Sequence, residues 1–158
     1  MTTKRIRGKA YEGKRYGSLR YQLYVAAKKR IEECIQTGYY CEAITIIESV
    51  ITDRLESRLS FLKGEDFSFK TLGTLILEAG KFEQDTELIG LLKELDTWRE
   101  NRNRAIHELV KVEKGKNLSS WDERMQVVSN TANEGYRILK LIYGRVADLN
   151  PLHPDRVF

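Results

Sequence analysis

The chain has 158 residues, 41% of them apolar and 32% charged, with two Pro, two Cys and two His. That length suits one domain with a core large enough to need no disulfide or metal. No run approaches the ~18 apolar residues of a membrane span and no signal-peptide core opens the chain, so the sequence reads as a cytoplasmic protein without a membrane partner. Cys34 and Cys41 lack companions at ligand spacing, which argues against zinc and suits a reducing compartment.

The first twenty residues hold seven Lys/Arg against Glu12 alone, so the +4 of the whole chain becomes +6 there and −2 beyond. Residues 1–19 therefore read as a basic, Gly-punctuated arm, with Tyr11 and Tyr16 among Lys4, Arg5, Arg7, Lys9, Lys14 and Arg15. Such a segment can neutralise phosphates and stack on bases, or can be a plain solvated tail.

From Leu19 onward apolar residues recur at helical spacing and no stretch alternates like a half-buried strand. A first helix is expected from about Arg20 to Thr37, with Leu23, Ala27, Ile31 and Cys34 inward and Gly38 as its stop. A second follows from about Tyr39 to Lys63, with a stripe of Tyr40, Ile44, Ile47, Ile51, Leu55, Leu59 and Leu62 and a stop at Gly64. After a loop through Phe67 and Phe69, Lys70 to Ala79 forms a short helix closed by Gly80. A fourth runs from Thr86 to about Val112, broken by Lys114-Gly115-Lys116-Asn117. Ser120 and Glu123 have capping-box spacing and start the last helix, whose inner face is Trp121, Met125, Val128, Ala132, Tyr136, Leu139, Ile142 and Val146. The expected fold is all-α: a bundle of four long helices and a short one over residues 20–147, with residues 148–158 as a Pro-interrupted tail carrying His153.

Two charges interrupt apolar faces: Glu48 among Ile44, Ile47, Ile51 and Leu55, and Arg102 between Trp98 and Ala105. A buried charge needs a partner, and the simplest arrangement pairs these two across the bundle. On the fourth helix, Arg99, Asn103 and His107 are four apart and form one row, whereas Glu100, Arg104 and Glu108 form a second row of alternating charge, an ordinary solvated face. An imidazole exchanges protons near neutral pH, and a guanidinium can hold two phosphate oxygens. Together they suffice for RNA cleavage without metal, by attack of the ribose 2′-hydroxyl on the adjacent phosphorus.

The segment Arg102-Asn103-Arg104-Ala105-Ile106-His107 resembles the Arg-x4-6-His motif of HEPN domains, including the Asn that commonly follows the Arg. The frame from about Arg20 to Val146 is similar as well, with the motif in the penultimate long helix and a polar residue, Glu48, on the second. The resemblance implies a metal-independent, cofactor-free endoribonuclease of toxin–antitoxin or anti-phage defence, acting on RNA as a homodimer whose two motifs form one composite site. It makes Arg102 and His107 catalytic, Asn103 and Glu48 supporting or phosphate-binding, and an antitoxin or regulatory protein a further partner; Arg99 joins the supporting residues from its place in the helix row, not from the resemblance. Leu109 stands where one toxin subgroup carries a modified Tyr, which argues against control by nucleotide addition there. Two other readings stay open: an inactive HEPN-like module that binds nucleic acid or a partner protein, and a structural bundle in which Arg102 pairs with Glu48 and His107 is incidental. A phosphodiester also needs more donors than one helix row supplies, so a dimer is expected on physical grounds too.

Overall fold

The computed structural model describes residues 5–6, 14–65, 69–116, 118–150 and 157–158, residues 14–16 by backbone alone. Lys4, Arg7, Lys9, Tyr11, the side chains of Lys14, Arg15 and Tyr16, Phe67, Asn117 and the tail from 151 to 156 with His153 lie outside the described residues. The fold is all-α, with helices α1 (Lys14–Thr37), α2 (Tyr40–Lys63), α3 (Leu72–Phe82), α4 (Thr86–His107) and α5 (Trp121–Leu149). Helix α5 packs along both α2 and α4; α2 also packs against α1 and α3, and α3 against α4.

Local chemistry sets most of the boundaries. Gly38 (φ 83°) and Gly64 (φ 63°) end α1 and α2 in the left-handed region that favours glycine. The Thr71 hydroxyl accepts from the Thr74 amide at the start of α3, and the Asp85 carboxylate accepts from the Leu88 amide at the start of α4. Ser120 and Glu123 form the expected capping box.

Helix α3 starts at Leu72 rather than Lys70 and α5 runs to Leu149, two residues into the expected tail; three further boundaries differ by more. Helix α1 begins at Lys14, so residues 14–19 belong to the helix rather than to an arm. Helix α3 continues through Gly80, whose φ is not positive, and stops at Glu83 where the Glu83 amide closes on the Ala79 carbonyl. Helix α4 ends at His107, about a turn and a half short of Val112, and the Glu108 and Leu109 carbonyls that follow it accept from a side chain of α5.

The core is continuous through all five helices and contains Ile31, Ile47, Ile51, Leu55, Leu59, Leu75, Leu95, Trp98, Leu139 and Ile142. Two residues assigned inward are outside: Leu23 is 59% exposed and Trp121 is 57% exposed. On α1 the inner stripe passes through Tyr24, Ala27, Ile31 and Cys34, which follows the helical repeat with Tyr24 in the place given to Leu23.

Charge is buried where the apolar stripe of α2 meets its neighbours. Arg54 is fully buried, its guanidinium over the rings of Tyr143 (4.9 Å) and Tyr24 (5.8 Å). Arg58 makes a bidentate pair with Glu83 (2.7 and 2.9 Å) and donates to Asn150 Oδ1 at 3.2 Å. This clamp joins α2, the α3–α4 turn and the end of α5, and so fixes the N-terminus of the helix that carries the motif.

Candidate functional site

Helix α4 presents its motif residues in three directions. Arg102 points to α2, where its Nη2 donates to Glu48 Oε1 at 2.7 Å; the two side chains are 17% and 29% exposed. The pairing expected from the sequence is therefore present. It engages one nitrogen of the guanidinium, and the buried Nε has no hydrogen-bond partner. A half-buried cation held by one bond and one carboxylate is fixed in position yet keeps donors unspent.

His107 is the last residue of α4, exposed, with no hydrogen bond or ion pair among the described residues. Five residues after Arg102, it lies roughly 7.5 Å further along the axis and about 140° around it. Asn103 is half-buried between them. Arg99 is drawn elsewhere: its Nε and Nη2 donate to Asp96 at 2.9 and 2.8 Å, and its guanidinium lies over Gly73 of α3. The structure thus joins Glu48 to Arg102 and leaves Arg99, Asn103 and His107 as a row whose members have different surroundings. Arg5 sits over the Phe69 ring at 5.2 Å, and the Phe69 amide donates to its carbonyl.

The chain matches no known protein family, no curated protein and no solved structure.

Arg124 of α5 is a site residue that the sequence reading missed. Its Nη1 donates to the carbonyls of Glu108 (2.7 Å), Leu109 (3.0 Å) and Lys111 (2.8 Å), and its Nε to Ser119 Oγ (3.0 Å). A guanidinium on the free carbonyls of a C-terminus neutralises the negative end of the helix dipole. It also pins the turn after His107. Nothing in the spacing of α5 announces this, since Arg124 sits in an ordinary polar position of the first turn. Arg54 and Arg58 were missed as well, although a signal was there: with Ile47 and Ile51 they follow at offsets of four, three and four, the test that singled out Glu48.

Next to this turn lies an open cavity of about 520 Å³ lined by Arg104, Leu109, Lys111, Lys116, Arg124 and Val127 among others. A second, of about 670 Å³, lies between α1 and α2 beneath Phe69 and is lined by Leu19, Leu23, Tyr24, Val50 and Asp53 among others. Among the described residues no three His, Cys, Asp or Glu side chains are grouped to hold a metal ion. No described helix is long and apolar enough to cross a membrane.

Proposed function

We propose that the chain is an endoribonuclease of the HEPN type, cleaving RNA without metal at a site completed by a second copy of itself. The observation that carries the reading is the pairing on one helix of a cation locked in place, Arg102 on Glu48, with an unpaired imidazole, His107, at the solvent end. In this chemistry the ribose 2′-hydroxyl attacks the adjacent phosphorus while His107 accepts its proton. Arg102 neutralises the charge that builds on the phosphorane oxygens. The 5′-oxygen leaves with a proton given by the imidazolium of the second copy's His107, and the upstream fragment ends in a 2′,3′-cyclic phosphate. DNA, which lacks the hydroxyl, is spared.

A second chain supplies what one chain lacks. Arg102 and His107 diverge around α4, so a phosphate on one guanidinium gains its second base or acid from a two-fold related helix. Glu48 is then a positioning residue: it holds Arg102 and does not touch RNA. An antitoxin or other regulatory protein is the partner this activity calls for, since an unrestrained ribonuclease harms its own cell.

The test is incubation of the purified chain with mixed-sequence RNA in excess chelator, followed by end-group analysis. Fragments ending in cyclic phosphate, lost in both His107→Ala and Arg102→Ala while folding and dimerisation persist, support the reading. RNA bound but uncut by the wild-type chain favours an inactive binding module instead.

A further inference from the structure

The geometry points to the α4–α5 turn as a docking site for single-stranded RNA, where Arg104 and Lys111 hold backbone phosphates and Trp121 stacks on a base. This rests on the ribonuclease reading for its substrate class, but on different residues.

The sequence placed Arg104 in a salt-bridged row with Glu100 and Glu108. In the structure Glu100 leans to Arg99 (3.8 Å), and Arg104 has no ion pair among the described residues. Lys111 is likewise unpaired and exposed. The cavity they line also holds Lys116 and Arg124, so four cations face two carboxylates, Glu108 and Glu113, and Glu113 is already tied to Lys116 at 2.8 Å. The negative end of the α4 dipole would ordinarily repel an anion, but the Arg124 guanidinium lies just past it, on the carbonyls of Glu108, Leu109 and Lys111. What faces solvent is Arg104 and Lys111 against the single carboxylate of Glu108, a net positive patch set within a chain body whose net charge beyond residue 20 is negative.

The helix that contributes Arg124 to this cavity begins with an exposed aromatic residue. Trp121 opens α5 one turn before Arg124 and is 57% exposed, and its indole N–H has no partner among the described residues. Val110, Val112 and Leu118 on the same turn are exposed too. Cations that track a backbone, together with an aromatic face, are the two elements of sequence-tolerant single-strand binding. A protein interface would place fewer unpaired cations at its centre. Arg104 is three residues before His107 and so is its neighbour on the helix surface. A phosphate on Arg104 thus belongs to the same strand as the linkage whose 2′-hydroxyl gives its proton to His107, and the turn sets how the strand enters the site.

The experiment uses the full chain and a labelled 2′-O-methyl RNA 12-mer, which cannot be cleaved, with affinity read by anisotropy over a salt series. Arg104→Ala/Lys111→Ala should weaken binding about tenfold or more at low salt and lower the salt slope by about 1.4, the contribution of two single-strand phosphates. Trp121→Ala should weaken it about five- to tenfold with the slope unchanged, within the range of a lost base stack. Lys111→Arg should bind as wild type. Unchanged affinity and slope in the first two variants overturn the proposal. So does a Trp121→Ala variant that binds RNA normally but changes sedimentation, since the face would then be a protein interface. Cleavage is scored separately on unmodified RNA: a chain that binds the 12-mer through this turn and cuts nothing keeps the docking site and loses the ribonuclease reading. A chain that cuts with the turn variants fully active does the reverse.

Discussion

Glu48 and Arg102 meet across α2 and α4 through a 2.7 Å hydrogen bond, and both side chains stay partly open to solvent. The pair is a strut between two helices and the anchor of a proposed catalytic group. Removing the carboxylate leaves a half-buried guanidinium with little compensation, so Glu48→Ala should cost about 1–2 kcal/mol, between the ranges for exposed and buried pairs. In a double-mutant cycle with Arg102→Ala, thermal or urea unfolding should show a coupling of about 1 kcal/mol. For cleavage, Glu48→Gln should lower kcat with little change in KM, because binding survives and only the position of Arg102 loosens. A KM effect alone would mean that Glu48 contacts RNA.

Arg124 is the second relationship with a direct consequence. Its three carbonyl contacts, to Glu108, Leu109 and Lys111, hold the turn that follows the end of α4 at His107. Arg124→Ala should cost about 1 kcal/mol globally, as for a modest hydrogen-bond loss. The larger effect should be local: faster amide exchange at Glu108 and Lys111, whose amides close on Arg104 and Glu108 in this turn. Cleavage should fall although neither Arg102 nor His107 is changed. Exchange at wild-type rates in the variant would show that the turn holds without the clamp.

The bundle was legible because helical periodicity and caps are local signals. Ser120 with Glu123, Gly38 and Gly64 mark boundaries that the structure keeps. The pair of Glu48 with Arg102 was legible for a related reason, since a charge on an apolar stripe demands a partner. The end of α4 was not, because the turn that follows it is held by Arg124 from another helix, a tertiary contact with no periodic trace. Gly80 misled for the opposite reason: glycine permits a stop without imposing one, and the Glu83 clamp carries α3 past it. Leu23 and Trp121 look like core residues by type, yet the stripe of α1 is displaced by one position and the indole opens α5 at the surface.

At Gly135 helix α5 lies directly against the Trp98 ring of α4. A Cβ there would fall 2.6 Å from Cζ2 of Trp98, whose indole N–H donates to the Thr131 carbonyl at 2.8 Å. Gly135→Ala should therefore destabilise by about 1–3 kcal/mol through overpacking, despite alanine's better helix propensity. Gly90 on α4 is exposed and has nothing within 4 Å of such a Cβ. Gly90→Ala should stabilise by about 0.5–1 kcal/mol. Urea midpoints of the two variants should move in opposite directions from wild type, and equal shifts would place the contact elsewhere.

Acid should undo the fold through the carboxylates at the α3–α4 turn. Burial pushes the Glu83 carboxyl up, but the Arg58 hydrogen bonds and the amides of Asp85 and Gln84 outweigh it and leave the group below its usual range. Asp85 is held at about 2 by its hydrogen bonds from Arg145 and from the Leu88 amide. A carboxylate depressed in the folded state adds stability that is complete above its unfolded pKa, near 4, and is lost as pH falls toward the folded value. Stability measured by urea unfolding should stay flat from pH 7 to about 5 and then drop between about 5 and 2. Asp85→Asn, which removes one of these groups and keeps an N-cap, should flatten the lower part of that drop. Glu83→Ala should cost about 3–5 kcal/mol at pH 7, as for one half of a buried pair removed. A variant chain with the wild-type pH profile would place the acid sensitivity in other carboxylates, such as Glu134 beside Arg137.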